Sequence, residues 1–428
     1  MMLYSNYQKS KLNDIIVDVS MNSEFLRNPN SDFTRKRKLD FVTTFNAVLA
    51  MGGKTLDKEI YDIFEFCDSR PSKSALVQRR DKILPEAFVK AFFEYTSQLR
   101  KYNKWKGFNL LAVDGSRINI ARNPNDSDSY VSREKGKGFN SLVLSTVYDL
   151  LNHQYTDAII QGIKTQDERD ALLNMMSSLN DNSILIADRG YESYNVFAHF
   201  NEVNRNYVIR VKDPTSNSIL SALELPDGEF DKMVTLNISS SQKKIHKSLV
   251  NYKFSPSESR FDFLSEENPV YELTFRVVRV HIGDGKYQSL ITNLSSDITL
   301  DDLKHLYKLR WGIETSFREL KYSVGLVNFH AKKKDSIIQE IYARLTLHNF
   351  SKSIVQNLAF INRDTTHFYK VNFVMAVYIL RRFLRPNNTI SYDIEARILD
   401  YLTPIRENRS FDRIIKVQSY TSFIYRVS

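Results

Sequence analysis

The chain is predicted to fold as an α/β protein, with a strand–helix core interrupted by a β-rich stretch and helical regions at both ends. Three observations carry that prediction. Helix-spaced apolar residues dominate residues 1–105 and 346–428; short apolar runs alternate with helix-periodic segments over 106–212; strand-like runs with few helix signals fill 213–292. The remaining piece, 293–345, holds one long helix. A chain of 428 residues that is 42% hydrophobic and 26% charged has ordinary globular composition, with room for two or three domains and a large core.

Taken in order, "TFNAVLAMGGKTLDKEIYDIFEFC" carries helix-spaced apolar residues interrupted by Gly52 and Gly53. Pro71 and Ser72 then mark the start of a helix containing "SALVQRRDK". Helix, Pro-containing turn and helix resemble a helix-turn-helix, which would bring Gln78, Arg79 and Arg80 near DNA; a basic, solvated helix is the other reading. From residue 108 the pattern changes. "FNLLAV" is an apolar strand that ends at Asp114, and "SLVLSTVYDL" and "YTDAIIQGI" form a strand pair around "LNHQ". "DERDALLNMMSSL" is helical, "SILIA" is a buried strand running into "DRGY", "YNVFAHFNEV" is helical and "NYVIRV" is a strand. Three strands, helix, strand, helix, strand is the order of a ribonuclease-H-like core, although alternation by itself says only α/β. "DKMVTLNIS", "HKSLVNYKF", "YELTFRVVRVHI" and "YQSLITNL" supply the strands of the β-rich insertion. "IIQEIYARLTLHNFSKSIVQNL" and "FVMAVYILRRFLR" are the clearest C-terminal helices.

One cysteine, Cys67, cannot build a disulfide framework or a Cys-based zinc site; it fits a reducing cytoplasm and reads as a small buried apolar residue. The N-terminus lacks the apolar run of a signal peptide, and no apolar stretch is long enough to span a membrane. The eight histidines lack metal-ligand spacing. The net charge of +10 is uneven. Residues 1–107 hold 19 Lys/Arg against 13 Asp/Glu and residues 301–428 hold 21 against 12, whereas 108–300 hold 20 against 25. Two basic ends around an acidic middle suggest ends that meet a polyanion; ordinary scatter of surface charge is the alternative.

The stretch "YKLRWGIETSFRELK", from Tyr307 to Lys321, reads as a helix with two faces. At roughly 100° per residue, Tyr307, Arg310, Glu314 and Lys321 share one narrow stripe. Leu306, Leu309, Ile313, Phe317 and Leu320 form an apolar stripe beside it. Surface ion pairs alone would account for such a helix, each contributing only about 0.3–0.5 kcal/mol. The weight comes from two further acids. Asp114 and Asp188 each follow an apolar strand, and in α/β sheets ligand sites collect at the carboxyl ends of strands. Three carboxylates converging there would repel one another unless cations neutralised them, and hard oxygen ligands suit magnesium or manganese. Taken singly, each Asp reads more often as a cap or turn former.

Tyr307, Arg310, Glu314 and Lys321 match the Y-x2-R-x3-E-x6-K signature of DDE transposases of the insertion-sequence-four type, and "VDGS" and "ADRGY" resemble that family's first and second Asp motifs. The resemblance covers about residues 30 to 350. It implies a ribonuclease-H-like catalytic domain in which Asp114, Asp188 and Glu314 hold two divalent ions, Mg2+ or Mn2+. It implies cleavage at transposon ends and transfer of the 3′ ends into target DNA, in several relatives through a hairpin. The partners implied are double-stranded DNA, both terminal inverted repeats and target, and a second copy in a synaptic homodimer. No membrane is implied; the protein would be bacterial, cytoplasmic and nucleoid-associated when on DNA. Arg310 and Lys321 would grip phosphate, Tyr307 would offer its hydroxyl or ring, and Trp311 would stack on an unpaired base. Arg189 would contact phosphate or pair with a carboxylate.

The expected division is a helical DNA-binding domain (1–105), the first part of the catalytic domain (106–212), the β-rich insertion (213–292), the last part with the Glu helix (293–345) and a helical C-terminal region (346–428). Two other functions fit the same chain. One is a catalytically silent, transposase-derived DNA-binding regulator, and the other is a nuclease of the same fold without strand transfer. The presence of all three acids favours an enzyme, and the Tyr-Arg-Glu-Lys pattern favours a transposase.

Overall fold

The computed structural model describes residues 3–405 apart from 66–69, 100–102, 135, 215–218, 221–222, 248, 250, 257–258, 359–367 and 387–392. Cys67 lies outside the described residues. The N-terminal helices are α1 (Tyr4–Met21), α2 (Phe41–Ala50), α3 (Leu56–Phe64), α4 (Lys73–Arg80) and α5 (Pro85–Ser97). The core follows as β1 (Asn109–Ile120), β2 (Tyr130–Val131), β3 (Phe139–Asp149), β4 (Gln154–Gly162), α6 (Glu168–Met175), β5 (Ser183–Ala187), α7 (Tyr194–Glu202) and β6 (Asn206–Val211). Then come β7 (Phe230–Ser239), α8 (Lys244–Lys247), β8 (Tyr252–Phe254), β9 (Val270–Gly283) and β10 (Lys286–Thr292). The chain continues through α9 (Leu300–Leu309), α10 (Trp311–Arg318), α11 (Lys334–Asn357), β11 (Phe368–Val371), α12 (Phe373–Phe383), α13 (Ile394–Leu399) and β12 (Leu402–Ile405). Among the described residues no helix is long and apolar enough to cross a membrane.

The sheet runs β4–β3–β1–β5–β6, with β1 antiparallel to β3 and parallel to β5, and β5 parallel to β6. This is the ribonuclease-H-like order that the alternation predicts. The β-rich stretch prolongs the same sheet as β10–β9–β7–β8, β10 pairing antiparallel with β6 from Ser289↔Val211 to Thr292↔Val208. Without β10, the buried Val208, Ile209 and Val211 would line an open sheet edge, which invites mispairing. One run differs from expectation. "HKSLVNYKF" is no single strand: its first residues belong to the short α8, and only Tyr252–Phe254 pair, parallel to β7.

Alternation along β1 sorts the two faces. Leu110 and Ala112 join a core with residues of α1, α2, α5 and α9–α12. Leu111 and Val113 join a second core with residues of α6 and α7. The described N- and C-terminal helices therefore pack on one face of the sheet, around α11. That helix is buried on nearly every side and fixes the others through polar contacts. Glu340 pairs with Arg80 at 2.8 Å and accepts the N–H of His330 at 3.1 Å, while Arg344 donates to the carbonyls of Met51 and Gly52.

The predicted long helix is broken twice. α9 opens on a capping box between Thr299 and Asp302 and ends at Leu309. Arg310 forms a tight turn in which its carbonyl accepts the N–H of Ile313 at 3.0 Å, and α10 begins at Trp311. Beyond Arg318, residues Glu319–Ser323 form a π-helical turn that puts the N–H of Val324 on the carbonyl of Glu319 at 2.9 Å.

Candidate active site at the ends of two parallel strands

The last registered pair of β1 and β5 is Ala112↔Ile186. Two residues further along each segment come Asp114, still on β1, and Asp188, the first residue past β5. β1 does not end at Asp114, as the sequence suggests. It continues to Ile120, because its antiparallel pairing with β3 persists to Ile120↔Asn140 after β5 has stopped at Ala187. Asp114 thus borders the gap that β5 leaves. Each Asp also shapes its own backbone. Asp114 Oδ1 accepts from the N–H of Gly115, and Asp188 Oδ1 caps the turn Arg189–Tyr191 by accepting from Gly190, both at 2.8 Å.

Helix α10 brings the other groups. Gly312 lets it lie close to the sheet: a β-carbon there would stand 2.8 Å from Leu150 Cδ2. Arg310, 6% exposed, donates through Nη2 to Glu314 Oε1 at 2.7 Å, while its buried Nε has no partner among the described residues. Its guanidinium stands 5.6 Å from the Tyr307 ring and 5.7 Å from the Trp311 ring. Tyr307 is itself 6% exposed, and Arg210 lies 5.9 Å from its ring. The tyrosine thus supports arginines from below and, in this arrangement, does not present its ring to a base. Trp311 is 55% exposed, and Arg189 is exposed too. Lys321 is half-buried; burial lowers its pKa, and the charge of Asp114 acts in the opposite direction.

Electrostatics ties these groups together. Burial is the main cause that pushes the Asp114 carboxyl up to about 6. The charges of Asp188 and Glu314 push the same way, and the Gly115 N–H and Arg310 oppose them. Around Arg310, burial works against the charge, but Tyr307, Glu314 and Asp114 together hold its pKa above the ordinary value. A fourth acid escaped the sequence reading. Glu168 begins α6, and its pKa is raised by burial and then by Asp188. In the sequence its only mark is its place in the helix-periodic segment "DERDALLNMMSSL".

Among the described residues no three acidic, His or Cys side chains form a ready metal cage, and Glu314 is held by Arg310. The donor chemistry nevertheless fits hard divalent ions. The groups around Asp114 are carboxylates, and a buried carboxyl already repelled by two others is one that a cation would relieve.

The three residues of α4 divide. Gln78 is exposed and lines a cleft of about 460 Å3 with Lys73, Lys332 and Lys333. Arg79 is half-buried, donating to the Leu39 carbonyl at 2.8 Å with its guanidinium 4.7 Å from the Phe33 ring. Arg80, 5% exposed, corrects the expectation of a DNA contact. It lies inside, bonded to Glu340, Gln339 and the Ser336 carbonyl. It stands four residues after the buried Leu76, on the same inward face of the helix.

Residues 105–350 match the family described as the transposase DDE domain, and the chain belongs to that family. The match runs from just before β1 into α11, across all three expected acids. Membership makes the protein a DNA transposase, of a class that cleaves or transesterifies DNA with divalent metal ions. No curated protein sequence matches it. Among solved structures the chain is similar to a piggyBac transposase from a synaptic complex with hairpin DNA, at 12% identity and a TM-score of 0.42, covering 94% of this chain and 85% of that one.

Proposed function

We propose that this transposase is of the insertion-sequence-four type, cutting its transposon ends and joining the freed 3′ ends to target DNA. One observation carries the reading: Asp114 on β1, Asp188 just past the adjacent β5, and Glu314 with its partner Arg310 on and before α10 come together from three parts of the chain, and the charges of Asp188, Glu314 and Arg310 are felt at Asp114. Asp114, Asp188 and Glu314 would hold two divalent ions, Mg2+ or Mn2+. When bound, those ions would neutralise the carboxylates and activate water or a 3′-hydroxyl for in-line attack at phosphorus. The protein's own groups do the rest. Arg310 holds Glu314 ready and keeps an unpaired Nε–H, Lys321 presents a cation beside Asp114, and the exposed Trp311 offers a stacking surface beside Arg310. Arg189 and Gln78 extend the DNA contact from exposed positions. Two copies would hold the two ends together.

The test is excision of a marker flanked by the DNA that borders the gene, in magnesium, with wild type, Glu314→Gln or Asp188→Ala. The expected result is excision by wild type alone, with end binding kept by Glu314→Gln. Full excision by Glu314→Gln sinks the assignment.

A further inference from the structure

The first turn of α6 carries an acid that the family signature does not use. Asp167 caps this helix, its Oδ1 accepting the N–H groups of Arg169 and Asp170 at 2.9 and 3.0 Å. Arg169 Nε in turn donates to the Gly190 carbonyl at 2.9 Å, which fastens the helix start to the turn after Asp188. Glu168 sits between these two anchors. A β-carbon built on Gly115 would stand 2.7 Å from Glu168 Oε1. One built on Gly190 would stand 3.4 Å from Glu168 Oε2 and 3.0 Å from Asp188 Oδ1. Neither glycine has the positive φ that would itself call for glycine. What both supply is space, and the Glu168 carboxylate fills it.

Two polar groups there lack partners. Glu168 makes no hydrogen bond or ion pair with the described residues. The Tyr191 side chain is wholly buried, its hydroxyl has no hydrogen-bond partner among the described residues, and the neighbouring charges it senses are Glu168, then Asp114 and Asp188, with Arg310 acting the other way. Buried polar groups without partners are rare enough to need a reason. Of the two, the Tyr191 hydroxyl is the buried one, with Glu168, Asp114 and Asp188 as its charged acidic neighbours, while the half-buried Glu168 lies beside Asp188. We propose that Glu168 is a fourth carboxylate of the metal-binding set, reaching it from the α6 side of the sheet, and that Gly115 and Gly190 form the notch that admits it. Gly115 falls on the β1 face of Leu111 and Val113, toward α6, whereas Asp114 falls on the face of α10 and Glu314. The acids would thus close on a hydrated divalent cation from both layers.

This inference rests on the three-acid reading, and the test separates the two. Binding of Mn2+ to the full-length protein would be followed by electron paramagnetic resonance of the free ion, for wild type, Glu168→Gln, Gly115→Ala and Asp188→Asn. Glu168→Gln is expected to weaken Mn2+ binding about tenfold or more. Gly115→Ala keeps every acid and should weaken it in the same direction by displacing Glu168. Wild-type affinity in Glu168→Gln, with binding lost in Asp188→Asn, overturns the role of Glu168 and leaves the three acids standing. Wild-type affinity in Gly115→Ala overturns the notch. Wild-type affinity in both Asp188→Asn and Glu168→Gln removes the three-acid reading and this inference together.

Discussion

Asp114 sits between opposing influences: burial and two neighbouring acids raise its pKa to about 6, while one N–H and Arg310 resist. The folded value exceeds the usual 3.8, so the native state keeps a proton that the unfolded chain releases between about pH 4 and 6. The stability that this proton contributes is present at lower pH and lost as the pH rises through 6. In chelator at pH 8, Asp114→Asn should therefore be more stable than wild type by roughly 2–3 kcal/mol, and the gap should close below about pH 4. Urea melts at the two pH values measure it. Equal stability at pH 8 would mean that the carboxylate is not strained. The same residue shows how far a motif reaches, since "VDGS" marks Asp114 but cannot reveal that Gly115 makes room for Glu168.

At the scale of elements, the helix read from Tyr307 onward is an α9 segment, a turn at Arg310, α10 and a π turn. π turns recur at functional sites, and this one carries Lys321. Lys321→Ala should weaken binding to end DNA uniformly across sequences and lower the salt slope by about one. Titration of binding against salt checks this, and an unchanged slope would make Lys321 a bystander. The π turn is gripped from behind: Glu319 binds Lys352 at 2.8 Å and lies 3.7 Å from the buried His348. Burial would raise the Glu319 pKa, but these partners hold it at about 2, and Glu340 is held at about 2 by Arg80 and His330 against the same penalty. Both folded values lie below the usual 4.5, so their stabilisation is complete above about pH 4.5 and disappears as the pH falls towards 2. Glu319→Gln should flatten the acid-side fall in melting temperature while lowering the melting temperature at pH 7. Arg80→Ala leaves the buried Glu340 without its arginine partner and should cost about 3–5 kcal/mol, read from chemical denaturation at pH 7.

For the whole molecule, the described helices of the two basic ends, α1, α2 and α5 on one side and α11 and α12 on the other, pack on one face of the sheet, the face that also holds α10 and Glu314. A polyanion held there would release counterions, so the affinity for end DNA should fall linearly on a log–log plot against salt, with a slope of several units. A flat dependence would detach the basic ends from DNA binding. The strand order of the core was legible in the sequence, because it depends on local periodicity, whereas the Tyr307–Lys321 helix was read as one piece and is broken at Arg310 and after Arg318. Four things were decided only by tertiary structure. β1 outlasts β5, the β-rich stretch extends the central sheet, Arg80 turns inward to Glu340, and the Glu168 carboxylate fills the space left by Gly115 and Gly190. Each depends on a partner distant in sequence, and local pattern carries a residue's preference for an element, not the identity of what that element will be packed against.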